Sequence, residues 1–279
     1  MFWEVFRFEC RYQLRSPLFL SVAGLFFLLG FLIMGTEAVR VGGVGNNLNL
    51  NANFAIIQTQ YVMSVLGMFA AIAFVAGAIT RDTEARTAEL LYSTGLNENA
   101  YLFGRFAGGS LFAILVGIAA MLGSMLGTFM PWLDVERVGP FTLAPYSFSV
   151  WAVIVPNLLV ICALFYTVAA LTRSMMASYV AALGFIIANV VIGSVTDAED
   201  VATMALFEPF GLAAFGEITR YWTVFDRNFA VPEVTDTLLY NRVIWLGISV
   251  VALAFTAWRY EFNLAPGGWR KSRKAAREK

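Results

Sequence analysis

Apolar positions in this chain gather into six long runs, at residues 17–36, 56–79, 103–130, 148–171, 175–195 and 241–258, with polar stretches between them. Each run matches the roughly 20 residues that a helix needs to cross a hydrocarbon layer about 30 Å thick. None alternates with the period of two that a membrane-barrel strand requires. Because lipid offers no partner to a backbone amide, each segment has to bond its amides internally, and the runs are predicted as helices. The fold class is therefore all-α: a polytopic membrane protein with six transmembrane helices. No internal repeat or low-complexity segment divides it, so residues 17–258 are expected to form one membrane domain.

The polar stretches differ in kind. In residues 1–16, Glu4, Arg7, Arg11 and Arg15 share one helical face beside an apolar stripe of Trp3, Phe6, Cys10 and Leu14, as in a helix lying at a membrane surface. Residues 36–53 form a Gly- and Asn-rich connector. Residues 80–101 hold a short amphipathic helix: Asp82 or Thr83 can cap its start, Gly95 can end it, and Asn97 can cap the next span. Ala85, Ala88, Leu91 and Tyr92 share one face of it, and Arg86, Glu89 and Ser93 another. Residues 196–240 are too long for a plain connection and mix aromatics with charges, which suggests a small external cap before the sixth span. A basic tail, 259–279, closes the chain.

Composition supports this outline. Of 279 residues 59% are hydrophobic and 14% charged, and the mean hydropathy is +0.71. The 19 basic and 19 acidic residues cancel, so no overall field invites nucleic acid. Their distribution sets the orientation: with both termini in the cytoplasm, 14 Lys and Arg lie inside and 5 outside. Cys10 and Cys162 fall in different environments and are expected to stay unpaired.

The chain has no His, which removes zinc sites of the HExxH type and Ser/His/Asp triads. Neither a catalytic constellation nor a metal site can be assembled. Away from their ends the runs hold almost no ionisable side chain, the polar exceptions being Gln58, Gln60 and Asn189. Ion-coupled carriers keep such groups at depth, so a secondary carrier is disfavoured. Gly104 and Gly108, and again Gly123 and Gly127, have the spacing that lets helices approach closely, and Pro156 should kink the fourth span.

The stretch "RDTEARTAELLYSTGLNENAYLFGRF", residues 81–106, resembles the cytoplasmic loop between the second and third spans of type 2 ATP-binding-cassette (ABC) exporter permeases. "FRFECRYQLRSPLF" looks like the amino-terminal interfacial helix of that family, and "LFEPFGLAAFGEITRYWTVFDRN" is similar to the external region in a bacterial subgroup whose members sometimes carry a fused zinc aminopeptidase. Relatives often have Gly where this chain has Arg86 and Pro where it has Gly95, and without His no peptidase zinc can be held here.

The resemblance implies a non-catalytic permease subunit in the bacterial inner membrane that forms half of an export path. Asp82, Glu84, Arg86, Glu89, Leu90 and Leu91 would then couple to the ATPase, with Arg7, Arg11 and Arg15 flanking it. ATP and Mg would sit on separate ABC ATPase subunits, since this chain has no G-x-x-x-x-G-K-[ST] sequence. A second permease copy or a sister permease would complete the path. Glu208, Glu217, Arg220 and Trp222 would either gate its outer end or form a salt-bridged cap. The alternatives are a polytopic scaffold that anchors a partner without transport and, less favoured, a channel or secondary carrier. The apolar, Phe-rich spans suit a lipid-like, peptide or drug-like solute, although lipid-facing Phe would give the same count.

Overall fold

The computed structural model describes residues 1–36, 48–85, 87–88, 95–195, 201–234 and 236–260. Among these every regular element is a helix. The amino-terminal helix α1 (Phe2–Arg15) is followed at once by α2 (Pro17–Gly35). Ser16 makes the break: a residue before proline is pushed out of the helical region, and here it is extended at φ −76°, ψ 126°. Pro17, lacking only a donor that would be orphaned anyway, opens the next helix.

Six helices are long and apolar enough to cross a membrane: α2, α3 (Asn53–Glu84), α4 (Glu98–Gly127), α5 (Ala144–Thr172), α6 (Met175–Val195) and a last helix, Asp236–Arg259. They match the six predicted runs. At 1.5 Å per residue α3 is about 48 Å long, so it projects well beyond a hydrocarbon layer. That extension changes the reading of residues 80–84. Asp82 and Thr83 do not cap a separate helix; they lie in the last turn of α3.

The spans pack unequally. About 67% of the α3 span and of the α5 span is buried, against 11% of α6, so α3 and α5 are the central elements. Helices α2 and α4 meet at backbone distance: a Cβ on Gly123 would collide with the Phe27 carbonyl, and one on Gly30 with that of Ala120. Along α4, Gly104 receives Val5 of α1 and Gly108 receives Glu9. The glycine spacings read from the sequence are thus spent within the chain.

In α5 the residues Ser149–Ile154 form a π-helical turn just before Pro156. Proline cannot donate to the ladder, and a widened turn takes up the mismatch that was expected as a kink. Helix α5 joins α6 through Arg173 and Ser174 alone, with Arg173 in the left-handed region at φ 55°.

The segment expected as a cap contains α7 (Val201–Phe207), α8 (Leu212–Ile218) and α9 (Val224–Phe229), after which α10 (Asp236–Arg259) begins. Thr223 and Asp226 form a reciprocal capping box at the start of α9. Phe54, Phe215, Tyr61 and Trp222 pack the cap onto α3, with the Phe54 and Phe215 rings stacked at 5.1 Å.

Candidate functional site

The loop joining α3 to α4 leaves from and returns to a cluster of buried charges. Helix α1 crosses α4 where glycine leaves room, and this crossing carries Glu9, fully buried, into the interior. Arg81 of α3 grips both of its oxygens, with Nη2 to Oε1 at 3.1 Å and Nη1 to Oε2 at 3.2 Å. Arg105 of α4 donates to Glu9 Oε2 at 2.5 Å and, through its other nitrogen, to Asp82 Oδ2 at 2.5 Å. The Tyr101 hydroxyl donates to the same Asp82 oxygen at 2.7 Å, and Gln13 Nε2 donates to Glu9 Oε1 at 2.8 Å.

Two guanidinium groups thus face two carboxylates, and the junction is neutral as a whole. Burying a charge costs several kcal/mol unless it is paired and hydrogen-bonded, a condition this junction meets for both carboxylates. Aromatic faces complete it: the Arg81 guanidinium lies 3.6 Å from the centre of the Tyr12 ring, and Arg105 lies near Phe8 and Tyr101. Tyr260, just past α10, stacks on Tyr101 with centroids 6.4 Å apart. Four elements therefore meet at one point. The adjacent Cys10 thiol is pushed above its ordinary pKa by partial burial and then by Glu9, so it stays protonated at neutral pH.

Both carboxylates are already paired with arginine. What the arrangement can do is mechanical. A shift of α1, α3 or α4 at this end is passed to the others through short, directional bonds.

Around it, the loop keeps part of its predicted form. Asn97 caps α4, its side chain accepting from the Ala100 N–H at 3.0 Å, and Gly95 has φ +70°. Ala88 is buried and Glu84 exposed. Arg86, Glu89, Leu90 and Leu91 lie outside the described residues, as does the tail from 261 onward. Arg7, Arg11 and Arg15 stand exposed along α1, the last two lining a shallow cavity of about 430 Å³ with Phe8, Tyr12, Ser16 and Pro17. Asp82, grouped by sequence with the exposed coupling residues, is turned inward by Arg105 and Tyr101.

At the other end the four candidate gate residues do not form one constellation. Glu208 accepts backbone N–H groups from Phe210, Leu212 and Ala213, capping α8. Trp222 belongs to the aromatic cluster with Phe54. Arg220 lies against Tyr221, and among the described residues no ion pair joins it to Glu208 or Glu217. The buried cation here is Arg242 of α10, whose Nη2 donates to the Phe210 carbonyl at 2.5 Å and whose Nη1 donates to Asn157 Oδ1. Beside it, Asn241 Nδ2 donates to the carbonyls of Ala205, Leu206 and Glu208.

Glu9, Gln13, Tyr101, Arg105 and Arg242 escaped notice as site residues in the sequence. On α1 the exposed arginine face is the obvious one, and the structure instead buries Glu9 and Gln13 while leaving Trp3 and Leu14 exposed. A signal was there: Glu9 and Gln13 are one helical turn apart, and Arg105 sits inside an apolar run that needs a counter-charge.

Residues 3–261 match a family model described as ABC-2 family transporter protein. A search of curated proteins matches none.

Proposed function

Because the chain belongs to the ABC-2 family of transporter proteins, and so is a permease component of an ABC transporter, we propose that it is half of an exporter driven by separate ATPase subunits. The observation that carries this reading is the neutral junction of Glu9, Arg81, Asp82 and Arg105 at the root of the α3–α4 loop. A loop that only joined two spans would not need its roots locked to the amino-terminal helix. In the proposed cycle the ATPases grip the segment around Glu84, Arg86, Glu89, Leu90 and Leu91, with Arg7, Arg11 and Arg15 of α1 alongside. Their ATP-driven closure moves α1, α3 and α4 as a unit. Asp82 then acts through Arg105, not by touching the partner.

ATP and Mg belong to those partner subunits in this reading. A second permease copy, or a sister permease, covers spans that this chain leaves bare; α6 exposes Val180, Leu183, Ile187 and Val190 in sequence. The excess of Lys and Arg at the loop end supports a cytoplasmic position for both termini in a bacterial inner membrane.

The test is purification in mild detergent from the native membrane, comparing wild type with Glu89→Arg and Arg105→Gln. Copurification of an ATPase that Glu89→Arg abolishes, and whose activity Arg105→Gln uncouples without releasing it, is the expected result. A well-folded protein that never brings an ATPase would sink the transporter mechanism and leave a scaffold.

A further inference from the structure

A cavity of about 620 Å³ opens between α5 and α10 beneath the cap, within the range of small-molecule sites. Its wall is a ladder. Trp151, Val155 and Leu159 follow one another at four-residue spacing down α5, and Leu246 stands one turn below Arg242 on α10. The ladder runs about 12 Å along the helix. The cavity lining is apolar except for Ser147 and Arg242, whose guanidinium sits at the level of Asn157 on α5.

Arg242 is 6% exposed and its Nε has no hydrogen-bond partner. Its two bonds go to a backbone carbonyl and an amide oxygen, neutral acceptors that satisfy donors without cancelling charge. Among the described residues no carboxylate lies within salt-bridge distance of it, and Glu208 is spent on the backbone of α8. The position is built with care: Gly211, at φ +74°, sits where any Cβ would strike the guanidinium. The π-helical turn, a device often found at functional sites, sets Trp151 at the mouth.

A buried cation in the wall of an apolar groove calls for an anion with a hydrocarbon tail. Arg242 is the seventh residue of α10, about 9 Å from that helix's cap-side start, and its guanidinium reaches inward to the level of Asn157 on α5. We infer that this cavity is a binding site for an anionic phospholipid, its phosphate on Arg242 and an acyl chain against the apolar wall of Trp151, Val155 and Leu159. Arginine's planar fork matches phosphate. The site is separate from the charged junction and needs no nucleotide.

The probe is phosphatidylglycerol brominated on its acyl chains, compared with diacylglycerol carrying the same chains, each diluted into phosphatidylcholine nanodiscs holding the protein. Bromine quenches nearby tryptophan, and the part of the quenching lost on Trp151→Phe reports the cavity. Phosphatidylglycerol should associate about tenfold more tightly than diacylglycerol, the equivalent of one charge-assisted hydrogen bond. Arg242→Gln should erase the preference. Val155→Phe, which fills the groove and keeps the charge, should weaken quenching by both lipids. Equal quenching by the two lipids in wild type, or a preference that survives Arg242→Gln, overturns the proposal; should that variant misfold, the wild-type comparison and Val155→Phe still decide it.

Discussion

Two arginines, Arg105 and Arg242, are buried near opposite ends of this protein, and they are treated in opposite ways. Arg105 meets two carboxylates, each also held by a second donor, so its charge is cancelled inside the fold. Arg242 donates only to neutral oxygens, a backbone carbonyl and an amide, and no carboxylate among the described residues is within salt-bridge distance of it. The first arrangement is closed and joins helices; the second is open and faces a cavity. Burial of a charge alone therefore does not reveal a role, and the inventory of its partners does.

That contrast can be broken most forcefully at the closed end. Arg105→Ala leaves Glu9 and Asp82 facing the single guanidinium of Arg81, and removing one partner of a buried pair costs about 3–5 kcal/mol. Thermal unfolding of the detergent-solubilised protein should show a large fall in midpoint or a loss of folded yield. Combining Glu9→Gln with Arg105→Gln should cost less than the sum of the two single changes, and a double-mutant cycle on the same assay measures that coupling.

Arg242→Gln sharpens the comparison from the other side. It breaks no direct ion pair, so the expected cost is about 1–3 kcal/mol, below that of Arg105→Ala in the same unfolding experiment. Glu208→Ala removes the acceptor of three N–H groups at the head of α8 and should cost about 0.5–2 kcal/mol, with faster amide exchange confined to the cap.

The smallest effect is a pH dependence. Hydrogen bonds from the hydroxyl and N–H of Thr223 hold Asp226 below the ordinary carboxylate pKa. Its contribution is present above the unfolded value of about 3.9 and is lost as pH falls through the lower folded value. Amide exchange in α9 should rise only in that acidic window, and Asp226→Asn should remove the dependence.

Much of the fold was legible because hydrocarbon leaves the chain few choices. Run length and composition locate all six spans, and local chemistry locates the Asn97 cap and the turn at Gly95. The charged junction was not legible in the same way. Glu9 and Arg105 are 96 positions apart, and their pairing depends on α1 crossing α4 at Gly104 and Gly108. Arg242 lies in a predicted run but at its edge, where snorkelling would keep it in water; only the cap folding over Phe210 and Gly211 encloses it. The π-helical turn was announced no further than by Pro156, since proline marks a defect in the ladder without saying how the neighbours absorb it.

The two-residue link at Arg173 and Ser174 bears on biosynthesis. With only two residues between them, α5 and α6 fold back on each other as a tight helical hairpin whose tip carries Arg173, a unit suited to entering the bilayer in one step. A flexible spacer placed at this tip should let α5 be captured before α6 is made, and truncated nascent chains of different lengths would show whether commitment to the membrane then splits into two steps.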